Sequence, residues 1–157
     1  MRENFITTHR GGPLERADHQ RLMFWACECS EHVLPLFSGV PDERLTRALA
    51  IARRWASGEA ATGEAMKAAY VAHAAAREIP DPVSKAIARS IGQAVSTAHM
   101  ADHSPGAAWY ALRAVKQAGL PVGSEKEWQL SRMSDWPVQL RQIVLTFWVQ
   151  KKLDKTL

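Results

Sequence analysis

Prolines and glycines cut this 157-residue chain into segments that each carry apolar side chains at helical spacing. Between those breaks alanine is abundant, β-branched runs are rare, and no segment alternates apolar and polar residues for long. Such a pattern predicts α-helix throughout and no sheet. The stretch from Asp81 to His103 carries the strongest signal. Asp81 suits an N-cap and Pro82 the first turn, where its missing N–H is no loss. Val83, Ile87, Ile91, Ala94, Val95 and Ala98 then form one apolar stripe, and the helix is expected to run on to Ser104-Pro105. There the proline disfavours helical geometry in the residue before it.

The same reading predicts a first helix from about Asp18 to Leu34, with Leu22, Trp25, Ala26, Cys29 and Val33 facing inward. A second starts near Asp42, buries Leu45, Ala48, Leu49, Ala52 and Trp55, and ends at Ser57-Gly58. A third runs from near Thr62 to just before Pro80, with Met66, Ala69, Tyr70, His73 and Ala76 on its inner side. Ser104 caps a fifth helix, which turns Ala108, Ala111, Leu112 and Val115 inward and closes at Gly119-Leu120-Pro121. Ser124-Glu125-Lys126-Glu127 reads as a capping box opening a short sixth helix that carries Trp128. Pro137 opens the last, with Leu140, Ile143, Val144, Phe147 and Trp148 inward and Lys151 and Lys152 at its C-terminal end. Short loops make successive helices antiparallel neighbours. The expectation is an all-α, single-domain bundle of about six to seven helices over residues 18–157, with residues 1–17 as an arm lying on it.

Composition narrows the function classes. Hydrophobic residues make up 46% and charged residues 23%, which excludes a disordered chain. No stretch approaches the ~18 apolar residues of a membrane span, so no membrane partner is expected. Met1 to Phe5 lacks the apolar core of a signal peptide, and two cysteines make no disulfide framework; both predict a cytoplasmic protein. The net charge of +4 is spread in small groups, Arg53-Arg54, Lys85 with Arg89, and Lys151-Lys152. That dispersal, without a basic tract carrying interleaved aromatics, argues against nucleic acid as a partner.

One polar cluster stands out. His99, Asp102 and His103 are spaced i, i+3 and i+4, so a continuous helix places them on one face, directly after its apolar stripe. His73 lies on the inner stripe of its own helix and His32 one turn beyond Cys29, so either could converge on the cluster. Three readings follow: a structural hydrogen-bond network, a metal site, or a pocket for a ligand or protein partner. The metal reading lacks the glutamate that follows the first histidine in zinc-protease helices; Met100 stands there. Cys27 and Cys29 lie about 200° apart around a helix, so they do not chelate one ion, and Cys29 reads as a small core residue. Trp25, Trp55 and Trp148 fall on inner faces, while Trp128 and Trp136, in the proline-broken C-terminal region, would be binding anchors if exposed. With no glycine-rich phosphate loop and no nucleophile elbow, the chain is predicted to carry no catalytic residue, cofactor or metal.

Three ordered stretches carry a family resemblance. Trp25 to Phe37, with His32-Val33-Leu34-Pro35 at its centre, resembles the opening helix of the type-five-like immunity proteins of bacterial polymorphic toxin systems. Pro41 to Glu59, through Trp55, is similar to that family's second segment. Ser96 to His103 with Gly106 to Leu112 is similar to its third, and Glu127-Trp128-Gln129 is a weaker match further on. The likeness covers residues 19–130 and leaves out the helix after Pro137. It implies an all-helical protein whose partner is a cognate toxin, and it implies no reaction. Inhibitors of nucleases are often acidic, because they cover a basic active site; this basic chain departs from that pattern.

Overall fold

A computed structural model describes residues 2–153 and 155–157. Among them are seven α-helices and no strand: α1 Arg16–Val33, α2 Glu43–Ala56, α3 Thr62–Glu78, α4 Pro82–Ser96, α5 Ser104–Gln117, α6 Val122–Ser131 and α7 Val138–Gln150. The all-α expectation holds, with 74% of the described residues helical, 3-10 turns included, in a single domain. Asp42 and Asp81 cap α2 and α4 by accepting from the backbone N–H groups of Arg44 and Ser84, both at 2.9 Å.

Helix α1 is the axis of the bundle. Its buried residues include His19, Leu22, Met23, Trp25, Ala26, Cys27, Cys29, Ser30 and Val33, because α2, α4 and α5 all pack against it. Small side chains let the backbones approach closely: α3 buries Ala65, Ala69, Ala72, Ala75 and Ala76, and α4 buries Ala86, Ala88 and Ala94. Where α1, α4 and α5 meet, the Ser30 and Ser90 hydroxyls lie 2.7 Å apart, and Ser90 donates onward to the Ala107 carbonyl at 2.7 Å. The polar atoms at the centre of the core therefore satisfy one another. Both thiols are fully buried; burial pushes Cys27 up to about 12 and raises Cys29 as well, so both are neutral packing groups.

Five expectations need correction. Helix α4 stops at Ser96 rather than continuing to His103. On α3 the buried row is alanine, and Tyr70, one position round the helix, is 70% exposed. Helix α6 begins at Val122 directly after Pro121, so Ser124 is not its cap, and Glu125 turns instead to His32. Trp55 is half-buried, because its ring lines an open cleft. Helix α1 also starts slightly earlier than expected, with Glu15 at its N-cap.

Residues before α1 fold back as a tight loop. Leu14 donates to the Ile6 carbonyl and Thr8 to the Leu14 carbonyl, both at 3.0 Å. A Cβ at Gly12 would sit 2.1 Å from the Ile6 oxygen, so only glycine closes the loop. Phe5 and Leu14 are buried, and the Phe5 ring meets Phe147 of α7 edge-on at 5.2 Å.

Candidate functional site

The polar cluster is built by the joint between α4 and α5. Ser96 and Thr97 send their hydroxyls back to the Gly92 and Gln93 carbonyls, at 2.7 and 3.1 Å, and compete with the helical ladder. The His99 and Met100 N–H groups both donate to the Ser96 carbonyl, and Met100 is extended at φ −139° and ψ 115°. The Thr97 carbonyl, left over at the helix end, accepts from Nε2 of buried His19 at 2.5 Å. A 3-10 turn, Ala101–His103, then leads into α5, whose first turn holds Pro105. The joint thus separates the three residues that a continuous helix would align.

Asp102 faces the N-terminal arm, with Oδ2 2.6 Å from Nε of Arg2, rather than a histidine or the start of α5. Its other carboxyl oxygen, Oδ1, is buried with no hydrogen-bond partner among the described residues. His103 turns to α4, where its Nδ1–H donates to Oε1 of Gln93 at 2.9 Å. His99 is exposed. His73 does join the cluster: it lines a cavity of about 180 Å³ with His99, His103, Met66, Tyr70 and Ser96. Its ring lies against Gly92, where a Cβ would approach within 2.5 Å, so glycine there makes room for the imidazole. Arg89 donates to His73 Nδ1 at 2.9 Å, which leaves Nε2 to carry the proton of a neutral ring. Burial lowers the pKa of both His73 and His103; Arg89 lowers His73 further, while Asp102 acts in the opposite sense on His103. Among the described residues no group of three His, Cys, Asp or Glu side chains is placed to hold a metal ion.

His32 is engaged elsewhere. Its ring stacks on Trp128 at 3.5 Å and its Nδ1 lies 2.7 Å from Glu125. Trp136 packs edge-on against Trp25 at 5.7 Å, so neither C-terminal tryptophan projects as a free anchor.

A wider opening lies on the other side of His99. It is a cleft of about 710 Å³ between the N-terminal arm, the start of α1 and the α2–α3 turn, walled by His9, Arg10, Arg16, His19, Trp55 and His99. No Asp or Glu is among the described residues that line it. Trp55 packs on His19 at 4.6 Å between centroids and donates its indole N–H to Thr62 at 3.0 Å. Burial holds His19 below the ordinary histidine range, and the charges of His9 and Arg16 lower it further, while its bond to Thr97 acts the other way. Sequence reasoning placed Trp55 in the core and passed over His19, Arg10 and Arg16. One signal was present: His19 begins the row His19, Leu22, Ala26, Cys29 and Val33, so a histidine opens the most buried face of the chain.

No curated protein and no solved structure matches the chain. A family model matches residues 12–136, which takes in α1 to α6, the α4–α5 joint and the part of the cleft contributed by Arg16, His19, Trp55 and His99. By that match the chain belongs to the Imm-5 like putative immunity protein family.

Proposed function

We propose that the protein binds a cognate bacterial toxin in the cytoplasm and blocks it by occlusion, with no reaction of its own. Family membership across residues 12–136 carries this reading. The architecture suits it. The bundle exposes 7863 Å² of surface, and a standard interface takes roughly 800 Å² from each partner. No described helix is long and apolar enough to cross a membrane, in keeping with a partner met in the aqueous phase. Co-expression with any toxin encoded in an adjacent reading frame is the test. Growth rescued by this chain, together with a co-purifying complex, is the expected result; cells killed equally with and without it would overturn the reading.

A second reading is favoured by the cavity under Tyr70, where His73, His99 and His103 meet. There the chain would hold a small ligand. Native mass spectrometry of the purified protein, repeated after His99→Ala and His103→Ala together, separates this from occlusion: a bound small molecule lost in the double variant would favour it.

A further inference from the structure

The cleft beside His99 has a chemistry that names its occupant. We propose that it receives an acidic segment of the protein partner, a loop or chain end carrying two or more carboxylates, gripped by Arg10 and Arg16 over the face of Trp55. This rests on the toxin-binding reading and deepens it to one surface and one partner chemistry.

Three observations carry it. First, the cations are unspent. Arg2, Arg21, Arg44, Arg47, Arg53, Arg54 and Arg132 each have a carboxylate partner, and six arginines have none among the described residues; of those six, Arg10 and Arg16 line the cleft while Arg77, Arg89, Arg113 and Arg141 do not. Arg10 reaches the His99 carbonyl and the Met100 sulfur through Nη1 alone, at 3.4 and 3.3 Å. Its remaining guanidinium N–H groups can therefore take a carboxylate in the bidentate way. Second, Arg16 occupies the first position of α1, where the helix dipole is already positive, and the acid of that turn, Asp18, is committed to Arg21 at 2.7 Å. A cation at that place is unfavourable by itself and favourable once an anion binds. Third, the site is held in shape. The Thr7–Leu14 bridge and Gly12 fix the loop that carries Arg10, and Thr7 in the cleft wall keeps a buried hydroxyl with no hydrogen-bond partner among the described residues. A cavity of about 710 Å³ is far larger than one small anion fills, and an aromatic wall beside two guanidinium groups suits a peptide segment. Low-dielectric walls around like charges also focus the field outward and speed the encounter.

The test uses the full chain against the toxin domain encoded beside it, and separately against blocked hexaglutamate peptide, inorganic phosphate and a single-stranded oligonucleotide. Arg16→Glu, at a position whose side chain makes no bond among the described residues, is compared with Lys85→Glu, the same charge change on α4 at the end away from the cleft, and with the Arg10→Glu, Arg16→Glu pair. Expected are a loss of toxin affinity of at least about tenfold in Arg16→Glu, a larger loss in the pair, no more than about a twofold change in Lys85→Glu, and competition by hexaglutamate that weakens with salt. Toxin bound equally well by the double variant overturns this inference and leaves the toxin-binding function standing. Hexaglutamate bound through Arg10 and Arg16 while wild-type protein ignores the toxin would support the cleft chemistry and overturn the function. Phosphate or the oligonucleotide bound in preference to the peptide overturns the inference in favour of a small anion or a nucleic acid.

Discussion

The two ends of α1 are built from similar residues and finished differently. At the C-terminal end every charge is answered. Glu28 takes Arg132 at 2.7 Å, Glu31 takes Arg53 through a two-point contact at 2.6 and 2.8 Å, and His32 is held between Glu125 and the Trp128 ring. At the N-terminal end His19 is buried under Trp55, and Arg16 stands beside His9 and Arg10 with no carboxylate in the cleft wall. A closed network of ion pairs fastens α2 and α6 to the axis of the bundle. An open group of like charges contributes little to the fold and leaves interaction energy for something outside it. A histidine or tryptophan by its type alone does not tell these two ends apart; its partners do.

The largest expected contrast lies in the tryptophans. Trp25, 2% exposed and bonded to the Gln129 carbonyl at 2.9 Å, belongs to the closed end. Trp25→Ala should cost about 3–5 kcal/mol in urea unfolding. Trp55→Ala, at the half-exposed open end, should cost less than half as much; equal losses would erase the distinction between the two ends.

Acid provides the next contrast. His19, His73 and His103 all sit below the ordinary histidine pKa of 6.5, chiefly through burial. Just below that value the unfolded chain binds more protons than the folded one. Stability is therefore complete above pH 6.5 and declines as pH falls toward the folded values. Urea midpoints should drop between about pH 7.5 and about pH 5.5, and His19→Gln, which keeps a donor for the Thr97 carbonyl, should flatten part of that slope. A midpoint that rises on acidification would contradict the burial of these rings.

Smaller effects separate the charges. Arg53→Ala at the closed end should lower stability by about 0.5–1 kcal/mol, since its bidentate contact with Glu31 is half-exposed. Arg16→Glu at the open end should change stability by less than about 0.5 kcal/mol while weakening partner binding. Thermal unfolding and titration calorimetry on the same two proteins would show whether the ends differ in role. The smallest shift is expected for Thr7→Val. It removes a buried hydroxyl that has no hydrogen-bond partner among the described residues, so it should leave stability unchanged or raise it by up to about 1 kcal/mol. A clear loss of stability there would reveal a bond the hydroxyl makes within the fold.

Periodicity made most of the fold legible. Asp81 with Pro82, the stripe from Ile87 to Ala98 and the inner face of α5 stand where the 3.6-residue repeat puts them, because burial of one face is a local property of sequence. The end of α4 was hidden from that reasoning. Apolar spacing runs through Ala98, yet the hydroxyls of Ser96 and Thr97 and the distant imidazole of His19 end the helix first.

The sequence by itself determined helices, their order, the buried stripes and the family likeness, since each depends on residues within a few turns of one another. Tertiary structure alone decided which charges are paired. His32 finds Glu125 and Asp102 finds Arg2 across 93 and 100 positions of chain, while Arg10 and Arg16 meet around an opening. Pairing across such separations depends on how helices pack in three dimensions, and no spacing rule along the chain encodes it.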